Sequence, residues 1–456
     1  MDDYLATDSL DIKVKAGLAK LFPDSFIVEC KRQARWRPSW DVTIKIKGIL
    51  TSINVRAEKG QNYVGPLSLE QEAKIHDVLE RHGIPVPHVY GMLDDPVAIV
   101  MDVIPGKINL ATADSDVARQ AVRKQYVSVL ADIHRIPIEA FASIGLQPPA
   151  SPQKVALNLY QQCEKIYRQR MSDRHFPLME FIWRWVKNNA PKHRQRSAFV
   201  TADSGQFLFD GDKLTGLIDF EVGYIGDPLA EFSGMRLRDS TEPLGDINTL
   251  IDQYEALTGD TIDHHSVEYH TAGFCAVNGF LLWPLAFSPG VDDDYVAYLS
   301  FSVGTSRWAI TAIAEVMGVE LGGVALPEPL PLTFTAAGNH LVAAIDSMPA
   351  GDENQHYEQS KTLSLARFME RSNRYGRSIM MATLEDISKI VGRPFDSLEQ
   401  AEIALTDFIK TASDQQDRQL VRYFHRWLQR QNFILQGCGQ SAYLTNMDLQ
   451  VINPRN

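Results

Sequence analysis

Between Ile27 and Val103 apolar residues recur mainly at every second position. From Ala111 onward they recur at helical spacing, and only Ala198–Glu221 returns to a strand pattern. A period of two alternates side chains across a sheet, and a period of 3.6 lines them along one stripe of a helix. The chain is therefore expected to join a small sheet to a mostly helical body. Asp41–Ile46 and Ser52–Ala57 alternate polar and apolar residues, as half-buried strands do. Val97–Val103 is a continuous apolar run, expected as a central strand that Pro105-Gly106 ends. Ser68–His82 reads as a helix capped by Ser68, with Leu69, Ile75, Val78 and Leu79 on one face, and Gly83-Ile-Pro-Val-Pro87 stops it. Ala118–His134 and Leu157–Arg168 read as further helices, and Ala198–Glu221 as two short strands around the turn Asp210-Gly-Asp212.

At 456 residues the chain suits two or three domains, and 45% apolar content lets each bury a core. Gly322-Gly323 followed by Leu326-Pro-Glu-Pro-Leu-Pro-Leu332 has the composition of a stiff linker. Beyond it, Ser360–Ser372, Leu398–Ser413 and Arg418–Gln431 read as helices. A net charge of -12 argues against a wide basic face for nucleic acid. No run of about 18 apolar residues suggests a membrane span. The acidic start, Met1-Asp-Asp-Tyr4, lacks a signal-peptide apolar region. Cys30, Cys163, Cys275 and Cys438 form no CxxC pair, which fits a reducing cytoplasm.

The chemistry centres on Asp203 and Asp219. The strand ending at Val200 delivers Asp203 into a loop, and the following hairpin delivers Asp219 at the end of its second strand. Two carboxylates at adjacent loop ends suit a pairing in which one takes a hydroxyl proton and the other holds a divalent metal. Phosphoryl transfer needs that pair, because its catalysis is mostly positioning and charge neutralisation. Read alone, two such aspartates also fit ordinary turn and capping roles.

Ile218-Asp219-Phe220-Glu221, followed by Tyr224-Ile-Gly-Asp-Pro-Leu-Ala-Glu231, resembles the aminoglycoside phosphotransferase and choline kinase superfamily. The likeness is nearest to a bacterial branch found with fatty-acyl metabolism enzymes, and extends over about residues 25 to 320. It implies an α+β, two-lobe protein-kinase-like fold with a small antiparallel-sheet N-lobe, a mostly helical C-lobe and, here, an added C-terminal all-helical domain. The implied boundaries are 1–104 for a nucleotide-binding N-lobe, 105–321 for the C-lobe, 322–333 for the linker and 334–456 for the helical tail.

The family's catalytic loop has the form HGD-x-x-x-x-N. By the resemblance, Asp203 falls on the general base, Asp219 on the metal-binding aspartate, and Asp227 on the aspartate that braces the loop and opens the next helix. Arg56 falls on the basic strand position that meets nucleotide phosphate, and Glu72 on its helix partner. Met101-Asp-Val-Ile-Pro-Gly106 resembles the hinge, where main-chain groups of Met101 to Val103 would hold an adenine edge. The implied cofactors are ATP and Mg2+, and the implied partner is a hydroxylated small molecule.

The chain departs from the pattern in several places. Thr201-Ala202 replaces His-Gly, and Gln206 stands nearest to the metal-binding Asn. Asp219 follows Asp203 by 16 positions, fewer than the family has. Arg56 replaces the usual Lys, but an arginine can grip phosphate bidentately. Gln33–Trp40 stands where a glycine-rich loop would be. Arg35, Arg37 and Ser39 are its candidate phosphate contacts, and Trp36 and Trp40 its candidate packing residues. These departures bear on catalytic competence, so a kinase-shaped binding or regulatory module is the alternative to a kinase.

Other features have plainer expectations. His134 is expected as a packed histidine, His264, His265 and His270 as part of a helix start, and Asp292-Asp-Asp294 as a loop before a helix. Trp283, Trp308, Phe280 and Phe287 are expected in the core of the second lobe, some bordering an acceptor pocket. Arg418, Arg422, Arg426 and Arg430, at spacing four, are expected as a solvated basic face. The tail is a candidate surface for self-association.

Overall fold

The computed structural model describes residues 2–35, 37–60, 62–291, 293–330, 334–439, 441, 444 and 446–452, with 2–9 described as backbone only. In chain order the helices are α1 (Asp2–Leu21), α2 (Leu69–Arg81), α3 (Asp116–Ile133), α4 (Ile138–Ala142), α5 (Asn158–Arg170), α6 (Pro177–Asn188), α7 (Ala230–Arg238), α8 (Ile247–Thr258), α9 (His264–Phe287), α10 (Tyr295–Met317), α11 (Thr335–Asp346), α12 (Glu353–Val391), α13 (Leu398–Thr411) and α14 (Asp414–Leu435). The strands are β1 (Ser25–Arg32), β2 (Ser39–Ile46), β3 (Ile49–Ala57), β4 (Val89–Asp94), β5 (Val97–Asp102), β6 (Ala198–Val200), β7 (Phe207–Asp210), β8 (Lys213–Leu217) and β9 (Tyr224–Gly226). The architecture is the expected one: an antiparallel-sheet N-terminal region, a helical remainder and a helical C-terminal region.

By contact the chain divides into two compact units, Met1–Asn158 with Gln195–Ile262, and Leu159–Arg194 with Asp263–Asn456. The boundaries at 104, 321 and 333 expected from the sequence follow chain order, whereas each of these units is assembled from two separate stretches of chain.

In the first unit five strands pair antiparallel in the order β1-β2-β3-β5-β4. The two faces of the sheet follow from alternation along β5. Ala98 and Val100 join Trp40, Val42, Ile53 and Val55 in a core closed by Val14 and Leu18 of α1. Ile99 and Met101 point the other way and pack with Leu69 and Ala73 of α2. That two-sided burial explains the uninterrupted apolar run. Trp40 is fully buried and its indole N–H donates to Asp11 at 2.6 Å. Trp36 lies outside the described residues.

Helix α2 begins as expected. Ser68 accepts from the Gln71 N–H at 3.2 Å, and the Gln71 side chain accepts from the Ser68 N–H at 3.1 Å, a capping box. The turn at Asp210-Gly-Asp212 closes the β7–β8 hairpin, with Gly211 at a φ of 59°. Gly106 (φ 125°) lets the chain after β5 run against this hairpin, and Lys107 and Phe209 exchange backbone hydrogen bonds of 2.8 and 3.0 Å.

The second unit is helical. Helix α12 runs unbroken from Glu353 to Val391, well beyond the expected Ser360–Ser372, because no proline interrupts it and Gly392 ends it in a left-handed conformation. Asp294 caps α10 by accepting from Ala297 N–H at 3.1 Å, and Asp292 lies outside the described residues. His270 packs inside α9 against the Tyr160 hydroxyl at 2.7 Å. The arginine stripe of α14 is not a wholly solvated face. Arg426 and Arg430 both bond the buried Asp386 of α12, at 2.9 and 2.8 Å. Among the described residues no helix is long and apolar enough to cross a membrane.

Candidate active site

The site lies in the first unit. In β3, Ile53, Val55 and Ala57 face the α1 core, so Arg56 projects from the opposite face toward α2. There Arg56 Nη1 donates to Glu72 Oε1 at 2.9 Å, and Nη2 donates to Asp219 Oδ1. Arg37 braces the same cluster: Nε donates to the Ala57 carbonyl at 2.8 Å, Nη1 to Glu221 at 2.9 Å and Nη2 to Glu72 at 3.4 Å. Lys59 Nζ donates to Glu221 Oε1 and lies 4.2 Å from the Tyr63 ring centre.

Three cations and three carboxylates thus balance in a largely buried cluster, the condition under which buried charge is tolerated. Burial lowers the Lys59 pKa, with Glu221 and Asp219 pulling it back up. Burial alone would raise the Asp219 carboxyl, but Arg56, Lys59 and Arg37 together hold it well below the usual carboxylate range. Asp219 also sits in the left-handed backbone region, at a φ of 67°. That conformation disfavours a non-glycine residue by about 1 kcal/mol or more and concentrates at functional sites.

The loop after β6 is held from beneath by Glu231 of α7. One of its oxygens accepts from the Thr201 N–H and the other from the Thr201 hydroxyl, both at 2.7 Å, and the Ser204 hydroxyl also donates to it. His134 lies 3.4 Å from Glu231, and its other ring nitrogen meets the Tyr254 hydroxyl at 2.7 Å. Asp227, expected to brace this loop and open the next helix, accepts from Leu229 N–H at 3.1 Å at the start of α7. Glu231 braces the loop as well.

Ala202 takes a φ of 64° and turns Asp203 out of the loop. Asp203 Oδ2 accepts from Gln206 Nε2 at 2.7 Å and from Arg238 Nη2. Burial raises the Asp203 pKa, Arg238 opposes that shift, and Asp219 and Glu221 add to it. The two aspartates are therefore close enough to feel each other's charge.

The other expected residues are placed as follows. The Ser39 hydroxyl is buried and donates to Gln33 Oε1 at 2.7 Å, so it is engaged within the sheet. Met101 packs under α2, and Val103 is exposed just past β5. Arg35 is exposed, and no described residue hydrogen-bonds or ion-pairs its guanidinium. Although the residue is exposed to solvent, partial desolvation of the guanidinium lowers its pKa first and the charge of Arg56 adds to that, while Asp219 and Glu221 oppose it.

Among the described residues no cluster of three or more His, Cys, Asp or Glu is arranged to hold a metal. The chemistry of the donors nevertheless suits a hard divalent ion: Asp219 Oδ2, Asp203 Oδ1 and Gln206 Oε1 are oxygens that no described residue hydrogen-bonds.

Lys59, Glu221, Glu231 and Arg238 were not read as site residues. Glu221 and Glu231 stand inside the quoted motifs, so their signal was present. Arg238, in the last turn of α7, had none.

Residues 64–268, a little under half of the chain, match the profile of the Phosphotransferase enzyme family, APH. The match is narrower than the span expected from residues 25 to 320. It takes in Glu72, Met101, Val103, Asp203, Gln206 and Asp219 and leaves out Ser39 and Arg56. The resemblance to the aminoglycoside phosphotransferase and choline kinase-like superfamily stands on this region.

No curated protein matches the chain. Solved structures similar to it include the GDP complex of aminoglycoside 2'-phosphotransferase-IIIa (18% identity, TM-score 0.47, covering 65% of this chain and 98% of that one). Another is the streptomycin-ATP complex of APH(2")-IIa (17% identity, TM-score 0.45, covering 66% and 98%). A third is the macrolide 2'-phosphotransferase MphH from Brachybacterium faecium (15% identity, TM-score 0.41, covering 58% and 89%).

Proposed function

We propose that this protein is a small-molecule kinase that transfers the terminal phosphoryl group of ATP to a hydroxyl group. The observation that carries the reading is Arg56 bridging Glu72 and Asp219 beside a loop that presents Asp203. Arg56 and Arg35, whose guanidinium no described residue hydrogen-bonds or ion-pairs, supply positive charge for phosphate. The main-chain groups of Met101 to Val103 would hold the base. Asp203 Oδ1 takes the proton as the acceptor oxygen bonds to phosphorus and the bond from phosphorus to the ADP oxygen breaks. Asp219 and Gln206 would hold Mg2+, which supplies neutralising charge at the phosphates. Arg238 positions Asp203 and opposes the rise that burial gives its pKa.

Incubation with MgATP and a panel of hydroxylated metabolites, followed by ADP release, tests this. The account expects acceptor-dependent ADP that Asp203→Asn lowers by roughly 100-fold or more. ADP release equal in the wild type and Asp203→Asn would remove Asp203 as the base.

A second reading, a binding or regulatory module without phosphoryl transfer, draws on the arginine held by each aspartate: Arg56 on Asp219 and Arg238 on Asp203. It predicts nucleotide binding without turnover. We also propose a cytoplasmic setting, the lobe and linker division read from the sequence, and self-association through the tail. The exposed Leu341, Leu365, Met369 and Met381 support the last of these. Light scattering that finds only monomer at high concentration would end the self-association proposal.

A further inference from the structure

The second unit contains a cavity of about 220 Å³, roughly the volume of seven waters, that the nucleotide reading does not use. Its walls are aromatic. Phe176 packs edge-on against Trp283 at 4.8 Å and against Phe287 at 5.1 Å, Trp427 closes on Phe176 at 6.1 Å, and Tyr295 and Phe368 meet at 5.7 Å. All six rings line the cavity, and two acid–base side chains of opposite sign, Arg174 and Glu402, share it with them, together with His175 and Gln431.

Those two groups are unmatched. The Arg174 guanidinium lies over the Phe287 face at 4.3 Å, and no described residue hydrogen-bonds or ion-pairs it. The Glu402 carboxylate likewise has no hydrogen-bonding partner among the described residues. The two feel each other's charge but form no ion pair. Burial pushes the Glu402 carboxyl up to about 7, the mark of a carboxylate short of compensation. A cavity of this kind, with apolar walls and a few converging polar groups, is the usual form of a small-ligand site.

We infer that this cavity binds a small zwitterion with an apolar side group, of the apolar α-amino acid class. Its ammonium meets Glu402, its carboxylate meets Arg174, and its side group lies against Trp283, Phe287 and Trp427. A zwitterion satisfies both unmatched charges at once and leaves the local net charge unchanged. A simple amine leaves Arg174 unmatched, and a simple acid leaves Glu402 unmatched. The volume admits a side group of about the size of leucine. The inference does not depend on the kinase reading.

Trp283 and Trp427 make the test direct. Intrinsic fluorescence of the full-length protein is titrated with L-leucine, with isoamylamine, which lacks the carboxylate, and with isocaproic acid, which lacks the ammonium. The expected result is a saturable change with L-leucine at low-millimolar concentration or below. Each half-ligand should bind at least about tenfold more weakly, as should L-leucine to Glu402→Gln and to Arg174→Met. Thermal unfolding of both variants checks that they fold, and calorimetric titration of the wild type provides a readout independent of the tryptophans. No saturable binding of L-leucine by either method, binding of a half-ligand as tight as that of L-leucine, or unchanged affinity in both folded variants would each overturn the inference.

Discussion

Two arginines in the Gln33–Trp40 loop show how much a side chain's role depends on its partners. Arg37 is buried and bonded to Glu72, Glu221 and the Ala57 carbonyl, whereas Arg35 is exposed and no described residue hydrogen-bonds or ion-pairs its guanidinium. Arg37→Ala should therefore destabilise the fold by about 3 kcal/mol or more, since it strands buried carboxylates. Arg35→Ala should leave the melting temperature nearly unchanged and weaken MgATP binding about tenfold, measurable by calorimetric titration. Equal loss of stability in both variants would contradict this division. Neither role was legible in the sequence, where the two residues stand two apart in one loop and both read as phosphate contacts. What separates them is contact with Glu72 and Glu221, and periodicity carries no information about such long-range pairs.

Elements were read well where alternation or capping is local. Strands β2, β3 and β5, helix α2 with its Ser68 cap, and the β7–β8 hairpin all stand within a few residues of expectation. Helix α1 was missed, because its contact with the sheet runs through Val14 and Leu18 and its first turns are polar. The seat of the Thr201–Gln206 loop on α7 was also not legible. Gly234 of α7 packs so closely under the loop that a Cβ there would overlap the Ala202 carbonyl oxygen and lie 2.6 Å from Ser204 N. Gly234→Ala is expected to cost about 1–3 kcal/mol in urea unfolding and to displace Asp203. An unchanged midpoint would show that the loop does not rest on this contact.

Helix α2 also carries a pH sensitivity. His76 is fully buried against the Phe220 ring, and burial lowers its pKa from 6.5 to about 4, with the charge of Arg56 adding to the shift. As pH falls below 6.5 the unfolded chain takes up a proton that the folded chain refuses. Stability should therefore decline by up to about 3 kcal/mol between pH 6.5 and 4. His76→Leu should flatten that part of the curve. An unaltered slope in a folded His76→Leu protein would assign the decline to other groups.

At the scale of the whole molecule, chain order and contact order differ. Each unit is built from two separate stretches, with Leu159–Arg194 joining the C-terminal helices and Gln195–Ile262 joining the sheet. Composition marks a proline-rich break near residue 326, but it cannot show which distant stretches pack together. The expected site residues all fall in the first unit. Hydrogen exchange with MgATP should slow at Ser39–Ala57 and at 199–221.

The central claim is a working nucleotide site at Asp219. Its most direct test is the unfolding temperature with and without MgATP, for the wild type and for Asp219→Asn, each compared with its own unliganded state. Nucleotide at 100 times its dissociation constant stabilises a fold by roughly 2.7 kcal/mol. The account predicts a clear upward shift in the wild type and little or none in Asp219→Asn. No shift in the wild type up to millimolar MgATP, or an equal shift in the variant, would contradict it.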